Sequence, residues 1–192
     1  TGDLFNMYVW FEVMLISSFG LLVIGGDRAQ MDGATKYVGL NLIATVAFLS
    51  GVGLLYGATG ALNMADLHYK GAGREGETAI IASAAFLVFA FGSKAALFPA
   101  FFWLPASYHT PAFTTSAVFA ALLTKVGIYA LLRVFTLIYD IDGTPIQDVL
   151  LWAAVLTMIV GALGALSQFT IRRVLNFSII SSVGYVILGL AL

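Results

Sequence analysis

The sequence has no cysteine and few charged residues. Of its 192 residues only 10% are Asp, Glu, Lys or Arg, whereas soluble domains carry roughly 25%. Without cysteine the chain cannot form a disulfide, bind an iron–sulfur cluster or build a thiolate zinc site. Its two histidines, His68 and His109, lie far apart and form no local metal motif. We therefore expect no cofactor and no metal here, and any redox chemistry must belong to another subunit.

Positive charge is also scarce. The formal net charge is −1 and no basic run occurs, which argues against a nucleic-acid partner. The chain is instead apolar, with 60% hydrophobic residues and a mean hydropathy of +0.98. This composition is typical of a membrane protein.

Six stretches are long and apolar enough to cross a bilayer, which takes about 20 residues. They are Leu4–Gly26, Tyr37–Thr59, Ala79–Leu104, Ala112–Ile138, Ile146–Ser167 and Val174–Leu192. Open sheet edges cannot be satisfied in lipid, so strands are not expected. The sequence therefore predicts an all-α integral membrane protein, a polytopic bundle of six transmembrane helices that occupies residues 1–192.

The third stretch is predicted to be discontinuous. It contains Pro99 and ends at Pro105. Because Pro99 has no backbone N–H, the carbonyl of Ala95 loses its helical donor. Backbone of this kind is tolerated at membrane depth only beside protein or a water cavity. The longest linker, Gly60–Glu77, is polar, and we interpret it as a solvated loop.

The distribution of Lys and Arg predicts the orientation. The side that the first stretch reaches holds Arg28, Lys36, Arg172 and Arg173. The opposite side holds Lys70 and Arg74, with Arg133 near it. We therefore expect the Arg172–Arg173 linker in the cytoplasm and Thr1 outside. The chain begins with Thr and ends inside an apolar stretch, so we interpret it as an internal piece of a longer protein.

Three charged residues lie deep inside these stretches: Glu12, Lys94 and Lys125. A charge at the bilayer centre costs at least about 2.5–3.5 kcal/mol, so such residues are candidates for a functional site. Desolvation favours the neutral form of an ionisable group, whereas a neighbouring opposite charge favours the charged form. A glutamate between two lysines can thus control their proton occupancy. The alternatives are a static charge pair that locks two helices and, at Lys94, a proline kink used only for packing.

Other polar residues give weaker signals. His109 follows the predicted helix break, where it could relay protons at the cytoplasmic mouth or be an ordinary loop histidine. Ser178, Ser182 and Tyr185 recur at helical spacing in the last stretch. Such residues could hold water, or they could hydrogen-bond to a neighbouring helix.

The chain resembles the proton-conducting antiporter-like family shared by respiratory complex I and the Mrp-type sodium/proton antiporters, and it is most similar to the Mrp members. The matching segments are TGDLFNMYVWFEVMLISS, TGALNMADL, KAALFPAFFWLPASYHTP, LLTKVGIYALLR and IRRVLNFSIISSVGY. The resemblance implies inverted repeats in a protein of about fourteen helices, of which this chain corresponds to the fifth to tenth. It also implies that Glu12, Lys94 and Lys125 belong to a polar chain along the membrane midplane.

Two departures favour the Mrp side. Complex I members typically have a histidine before the WLP element, where this chain has Phe102. They also tend to have one before the last Gly-Tyr pair, where Ser182 and Val183 stand. A histidine relay at these two places is therefore not expected here.

The sequence thus predicts a proton-translocating subunit of a multisubunit Na⁺ or K⁺/proton antiporter in a bacterial or archaeal cell membrane. Its expected partners are other membrane subunits, lipid, protons and the cation. The first alternative is the antiporter-like subunit of complex I or of a membrane-bound hydrogenase. In that case the chain is part of an oxidoreductase but holds no redox centre. The second alternative is a structural bundle whose buried charges only specify assembly.

Overall fold

The computed structural model describes residues 1–71, 76–139 and 141–192. In these ranges the chain forms eight helices and no strand. The helices are α1 (Leu4–Val23), α2 (Arg28–Thr59), α3 (Met64–Gly71), α4 (Thr78–Ala95), α5 (Trp103–Ser107), α6 (Phe113–Leu137), α7 (Pro145–Leu166) and α8 (Ile171–Ala191). Six of them, all except α3 and α5, are long and apolar enough to cross a membrane. The prediction of six spanning helices with a break in the third is confirmed.

The helix α2 begins nine residues before the predicted Tyr37, at Arg28. Gly26, with φ +72°, ends the turn after α1. Asp27 is extended, and its carbonyl accepts the first helical hydrogen bond from Met31 at 3.0 Å. Asp32 and Lys36 then form an ion pair of 2.6 Å across one turn, which supports the helix. With 32 residues, α2 is about 48 Å long and therefore exceeds the apolar thickness of a bilayer.

The interpretation of Gly60–Glu77 as a solvated loop is wrong for its first half. Met64–Gly71 forms α3, with Met64 and Leu67 almost fully buried. The Asn63 side chain accepts a hydrogen bond from the N–H of Ala65 at 3.0 Å. Because α3 buries two apolar side chains against the spanning helices, the segment is held on the bundle. Arg74, Glu75 and Asp140, which belong to the predicted linkers, lie outside the described residues.

The last helix also begins earlier than predicted, at Ile171 rather than Val174. Arg172 and Arg173 therefore lie in its first turn and not in a linker. The Arg172 guanidinium lies 5.9 Å from the centroid of the Phe113 ring at the start of α6. Polar residues can extend a spanning helix beyond the membrane surface. A search for apolar stretches does not detect this extension.

The bundle contains two apolar clusters, one at each end of α1 and α2. The first includes Phe11 and Ala95, and the second includes Leu15 and Ala96. The helix α4 packs against α2 and α6, α1 packs against α2, and α7 pairs with α8. Between the two clusters, at mid-depth, α1 contributes residue 12 and α4 contributes residue 94. The fold therefore places Glu12 and Lys94, two of the three predicted charges, where the clusters meet.

Candidate functional site

The helix α4 ends inside the bundle, one residue after Lys94. Ala96 adopts the left-handed conformation, with φ 63° and ψ 41°. Its N–H donates to the carbonyl of Ser93 at 3.2 Å, and the N–H of Leu97 donates to the carbonyl of Gly92 at 2.8 Å. These two bonds form a Schellman motif, which usually has glycine at the left-handed position. The break therefore starts at Ala96, three residues before the proline to which the sequence attributed it.

The segment after the break exchanges hydrogen bonds with its surroundings. The Phe98–Pro99 peptide bond is cis. The N–H of Phe98 donates to Thr157 Oγ1 of α7 at 2.8 Å, and Trp103 Nε1 of α5 donates to the carbonyl of Ser93 at 2.9 Å. Backbone groups freed at membrane depth need partners from the protein. Helices α5 and α7 thus satisfy the interrupted helix and fix the position of its end.

Lys94 is buried at the carbonyl end of α4, with 5% of the residue exposed. The carbonyl end of a helix carries a partial negative charge that favours a cation. The ammonium also lies 5.2 Å from the centroid of the Phe11 ring, within range of a cation–π interaction. Its hydrogen bond in the described part of the chain goes to Thr45 Oγ1 of α2, at 3.5 Å. Lys94 is thus held inside the bundle with little hydrogen bonding.

Glu12 of α1 is half-buried and faces the same threonine. Thr45 Oγ1 donates to Glu12 Oε1 at 2.7 Å, and Thr45 itself is 8% exposed. Glu12 and Lys94 form no direct ion pair within 4.0 Å in the described structure. The acid and the amine therefore share one hydroxyl group, and helices α1, α2 and α4 meet at this point.

A cavity of about 10 Å³ adjoins Lys94, and neither Thr45 nor Glu12 lines it. Its polar lining residues are Lys94, Asn41, Tyr37 and Trp103. Asn41 donates through Nδ2 to the carbonyl of Tyr37 at 2.8 Å, and the Tyr37 hydroxyl hydrogen-bonds to Ser18 at 2.7 Å. The volume is close to the minimum for one water molecule, which also needs polar neighbours. The cavity therefore suits a single water molecule in contact with the ammonium.

Lys125 does not join this group. It lies at the centre of α6, and its side chain is exposed with no hydrogen bond among the described residues. Gly127 packs directly on the backbone of Lys94 and Ala95. Two helical residues correspond to a rotation of about 200°, so Lys125 lies at the depth of the α4 break but on the opposite face of α6. The structure thus brings two of the three predicted charges together and turns the third outward.

His109 lies after α5, on the side of the membrane where α1 ends. Its Nδ1 donates to the carbonyl of Pro105 at 2.8 Å. Its Nε2 lies 3.4 Å from Nη2 of Arg173 in α8, so a neutral ring accepts from the guanidinium. Both nitrogens of His109 are thus engaged, and it connects the broken helix to α8.

The polar residues predicted on α8 are exposed. Ser182 donates to the carbonyl of Ser178 at 2.9 Å, and Tyr185 is 63% exposed. The adjoining face of α8 packs closely on α7, where a Cβ at Gly161 would lie 2.5 Å from the backbone nitrogen of Ser181. Ser178, Ser182 and Tyr185 therefore take no part in the Glu12–Lys94 site within the described structure.

Thr45 was not predicted from the sequence. A signal was present, because Tyr37, Asn41 and Thr45 recur every four residues in an apolar stretch. All three are buried on one face of α2. Polar groups buried at this spacing indicate a hydrogen-bonded interface rather than a lipid-facing surface.

The spanning helices and the buried acid–hydroxyl–amine group define a multi-pass membrane protein with an ionisable site inside its bundle. The sequence matches the family described as "NADH:quinone oxidoreductase/Mrp antiporter, TM" over residues 1–192. The chain therefore belongs to this family. It is 45% identical over 192 residues to a Na(+)/H(+) antiporter subunit, of the D type, from Bacillus subtilis (strain 168), covering 100% of this chain and 39% of that relative.

Solved structures show the same arrangement. A chain of the Mrp complex from Dietzia sp. DQ12-45-1b superposes with a TM-score of 0.91 and 36% identity, covering 100% of this chain and 36% of that one. A chain of respiratory complex I from Thermus thermophilus, with bound aureothin, gives a TM-score of 0.81 and 31% identity, covering 99% and 40%. The chain thus spans about two fifths of the length of the curated relatives and solved chains it matches.

Proposed function

We propose that this chain is part of a proton-translocating membrane subunit of a multisubunit Na⁺ or K⁺/proton antiporter. The observation that carries the proposal is the burial of Lys94 at the end of an interrupted helix, joined through one hydroxyl to Glu12. An intramembrane acid and amine in hydrogen-bonded sequence are typical of a proton relay. The similarity to a subunit of a Na(+)/H(+) antiporter supports exchange for a monovalent cation.

In this mechanism Glu12 sets the charge state of Lys94. Glu12 Oε1 and Lys94 Nζ lie at most about 6 Å apart, because bonds of 2.7 and 3.5 Å join them through Thr45, and unit charges at that separation interact by roughly 3 kcal/mol at an effective dielectric near 20. A change at one group therefore alters proton binding at the other. A proton that leaves Lys94 neutralises Glu12, and the reverse step restores both charges. The exchange requires no large movement, because the groups already share a hydroxyl group.

Lys125 is proposed as the next proton-binding residue of the relay. Its ammonium lies at mid-membrane on an exposed face of α6, where contact with lipid tails would be costly. About three fifths of the length of the relatives lies outside the part matched here. We expect those further helices to cover this face and to carry the relay onward from Lys125.

Orientation and partners follow from the same proposal. Arg172 and Arg173 at the start of α8 lie on the same side as His109, and the excess of Lys and Arg there favours the cytoplasm. The N-terminal end of α1 then faces outward. The similar chains come from the Mrp complex and from respiratory complex I, which supports other membrane subunits as partners.

The experiment that tests the proposal measures exchange in everted membrane vesicles that contain the full-length protein with its partner subunits. Addition of Na⁺ or K⁺ should dissipate a preformed pH gradient. Lys94→Ala and Glu12→Gln should abolish this response while the complex still assembles. Lys36→Ala, at an exposed ion pair of α2, is the matched control and should respond normally. Normal exchange by an assembled Lys94→Ala complex would contradict the relay.

The second candidate is the antiporter-like subunit of a redox-driven complex, favoured by the similarity to respiratory complex I. Here the same relay would be driven by electron transfer in other subunits. The vesicle experiment separates the two functions. Proton movement that needs a quinone-linked donor and ignores Na⁺ and K⁺ would support the redox-driven candidate. A static role of the charges predicts that Glu12→Gln disrupts assembly instead of transport.

A further inference from the structure

We infer that the Thr45 hydroxyl itself carries the proton between Lys94 and Glu12. This inference rests on the proposed function and deepens it, because it assigns the connecting group to a third helix. Thr45 Oγ1 lies 2.7 Å from Glu12 Oε1 and 3.5 Å from Lys94 Nζ. The acid and the amine are thus connected through a residue of α2 rather than by direct contact.

The direction of the hydrogen bonds is fixed by chemistry. A threonine hydroxyl has one proton to donate and two lone pairs. The ammonium has no acceptor, so the hydroxyl must accept from Lys94 and give its own proton to the carboxylate. The donor–acceptor order therefore runs from Lys94 through Thr45 to Glu12. This is the arrangement that a proton transfer from the amine to the acid requires.

The transfer balances without any further reactant. One N–H bond of the Lys94 ammonium breaks and its proton binds Thr45 Oγ1, while the original Thr45 O–H bond breaks and that proton binds Glu12. The products are a neutral amine, an intact hydroxyl and a neutral carboxylic acid. The hydroxyl of Thr45 now points toward Lys94, so the reverse transfer follows the same two bonds.

The orientation of Thr45 differs from that of other threonines on its own helix. Thr35 and Thr59 each donate to the backbone carbonyl four residues earlier, at 2.8 and 2.7 Å, which is the common use of a threonine hydroxyl in a helix. Thr45 donates to a side chain of α1 instead. The hydroxyl of Thr45 therefore differs from these two in its acceptor, which is the Glu12 carboxylate.

Among the hydrogen bonds between described residues, those of Thr45 alone connect Lys94 with Glu12. The cavity beside Lys94 is lined by Asn41, Tyr37 and Trp103 but by neither Thr45 nor Glu12. A water molecule in that cavity would lie beside Lys94 but not beside the Glu12 carboxylate. An apolar side chain at position 45 therefore leaves the acid and the amine without a bridge.

The test compares Thr45→Val, which keeps the shape and removes the hydroxyl, with Thr45→Ser, which keeps the hydroxyl. Both are measured in the full-length complex by cation-driven proton exchange in vesicles. We expect Thr45→Val to exchange at about a tenth of the normal rate or less, because a positioned proton-transfer group contributes on the order of a hundredfold or more. Thr45→Ser should stay within about twofold of the unmodified complex, since both hydroxyls have the same donor and acceptors.

Thr35→Val is the matched control, because it removes a hydroxyl from the same helix that bonds only to backbone. It should leave exchange unchanged. If Thr45→Val does not assemble, Thr45→Ala takes its place, because alanine also lacks a side-chain donor and acceptor, and the same slow exchange is expected. An assembled Thr45→Val or Thr45→Ala complex with exchange near normal would overturn the inference. So would an assembled Thr45→Ser complex as slow as Thr45→Val.

Parallel measurements of Lys94→Ala and Glu12→Gln separate this inference from the function on which it rests. If both of these variants exchange normally, the proposed relay is wrong. If both are inactive but Thr45→Val is active, the relay stands and the hydroxyl bridge alone is wrong.

Discussion

Gly127 of α6 lies against the backbone nitrogen of Ala95, the last residue of α4. A Cβ on Gly127 would stand 2.7 Å from that nitrogen and 2.9 Å from the carbonyl carbon of Lys94. Real Cβ atoms do not approach backbone so closely, so this contact requires glycine. Because the neighbouring atoms are backbone and not a flexible side chain, they cannot move aside without shifting the helix end. The packing of α6 therefore helps to fix the depth and direction of Lys94.

Gly127→Ala should destabilise the protein and displace the end of α4. Overpacking of a tight contact typically costs about 1–3 kcal/mol, and we expect that loss in the thermal unfolding of the purified full-length complex, together with slower exchange. Gly53→Ala is the control, since a Cβ at Gly53 meets no atom within 4 Å and alanine favours a helix. Equal stability of the two variants would show that α6 can move away from the end of α4 without a loss of stability.

The sequence predicted the spanning helices well because length and hydropathy determine them. Leu4, Thr59 and the bounds of α6 and α7 were located within one or two residues. Errors occurred where polar residues continue a helix beyond the apolar stretch, as at Arg28 and in α3. Hydropathy indicates which residues lie in the membrane, but it does not indicate the hydrogen bonds at which a helix begins and ends.

The side chains that share a site were harder to predict. In a membrane the lipid-facing and protein-facing sides of a helix are both apolar, so periodicity does not tell which way Lys94 and Lys125 point. The sequence indicated both lysines by charge, yet one is buried and the other exposed. Thr45 was missed because a threonine inside an apolar helix usually bonds to its own backbone. Tertiary packing alone reveals its contact with Glu12.

Trp103 is expected to stabilise the interrupted helix through its indole nitrogen. It is 1% exposed, and Nε1 donates to the carbonyl of Ser93 at 2.9 Å. Trp103→Phe removes this donor and leaves a small void, which together should lower the free energy of unfolding by about 1–3 kcal/mol. Trp152→Phe is the control, since that tryptophan is 64% exposed on α7. Equal unfolding temperatures for the two complexes would refute a structural role of the indole bond.

Lys94→Arg tests whether release of a proton is needed or only a positive charge. A guanidinium keeps the charge but does not deprotonate in proteins. The variant should therefore assemble and still fail to exchange protons in vesicles, at every pH tested. Lys36→Arg on the surface of α2 should exchange normally. Exchange by an assembled Lys94→Arg complex would mean that a fixed charge suffices at this position.

Lys125→Met should affect transport but not the packing of the helices described here. The Lys125 side chain is exposed and has no hydrogen bond in the described part of the chain, so its removal should change the unfolding free energy of this region by no more than about 0.5 kcal/mol. Exchange should nevertheless fall if Lys125 is the residue that passes the proton on to groups of the further helices. Leu122→Met, three residues earlier and 57% exposed, controls for a change of side chain on the exposed surface of the same helix. Normal exchange by Lys125→Met would show that Lys125 transfers no proton in the relay, which would then consist of Glu12 and Lys94. A mid-membrane ammonium that takes no part in proton transfer would serve assembly alone.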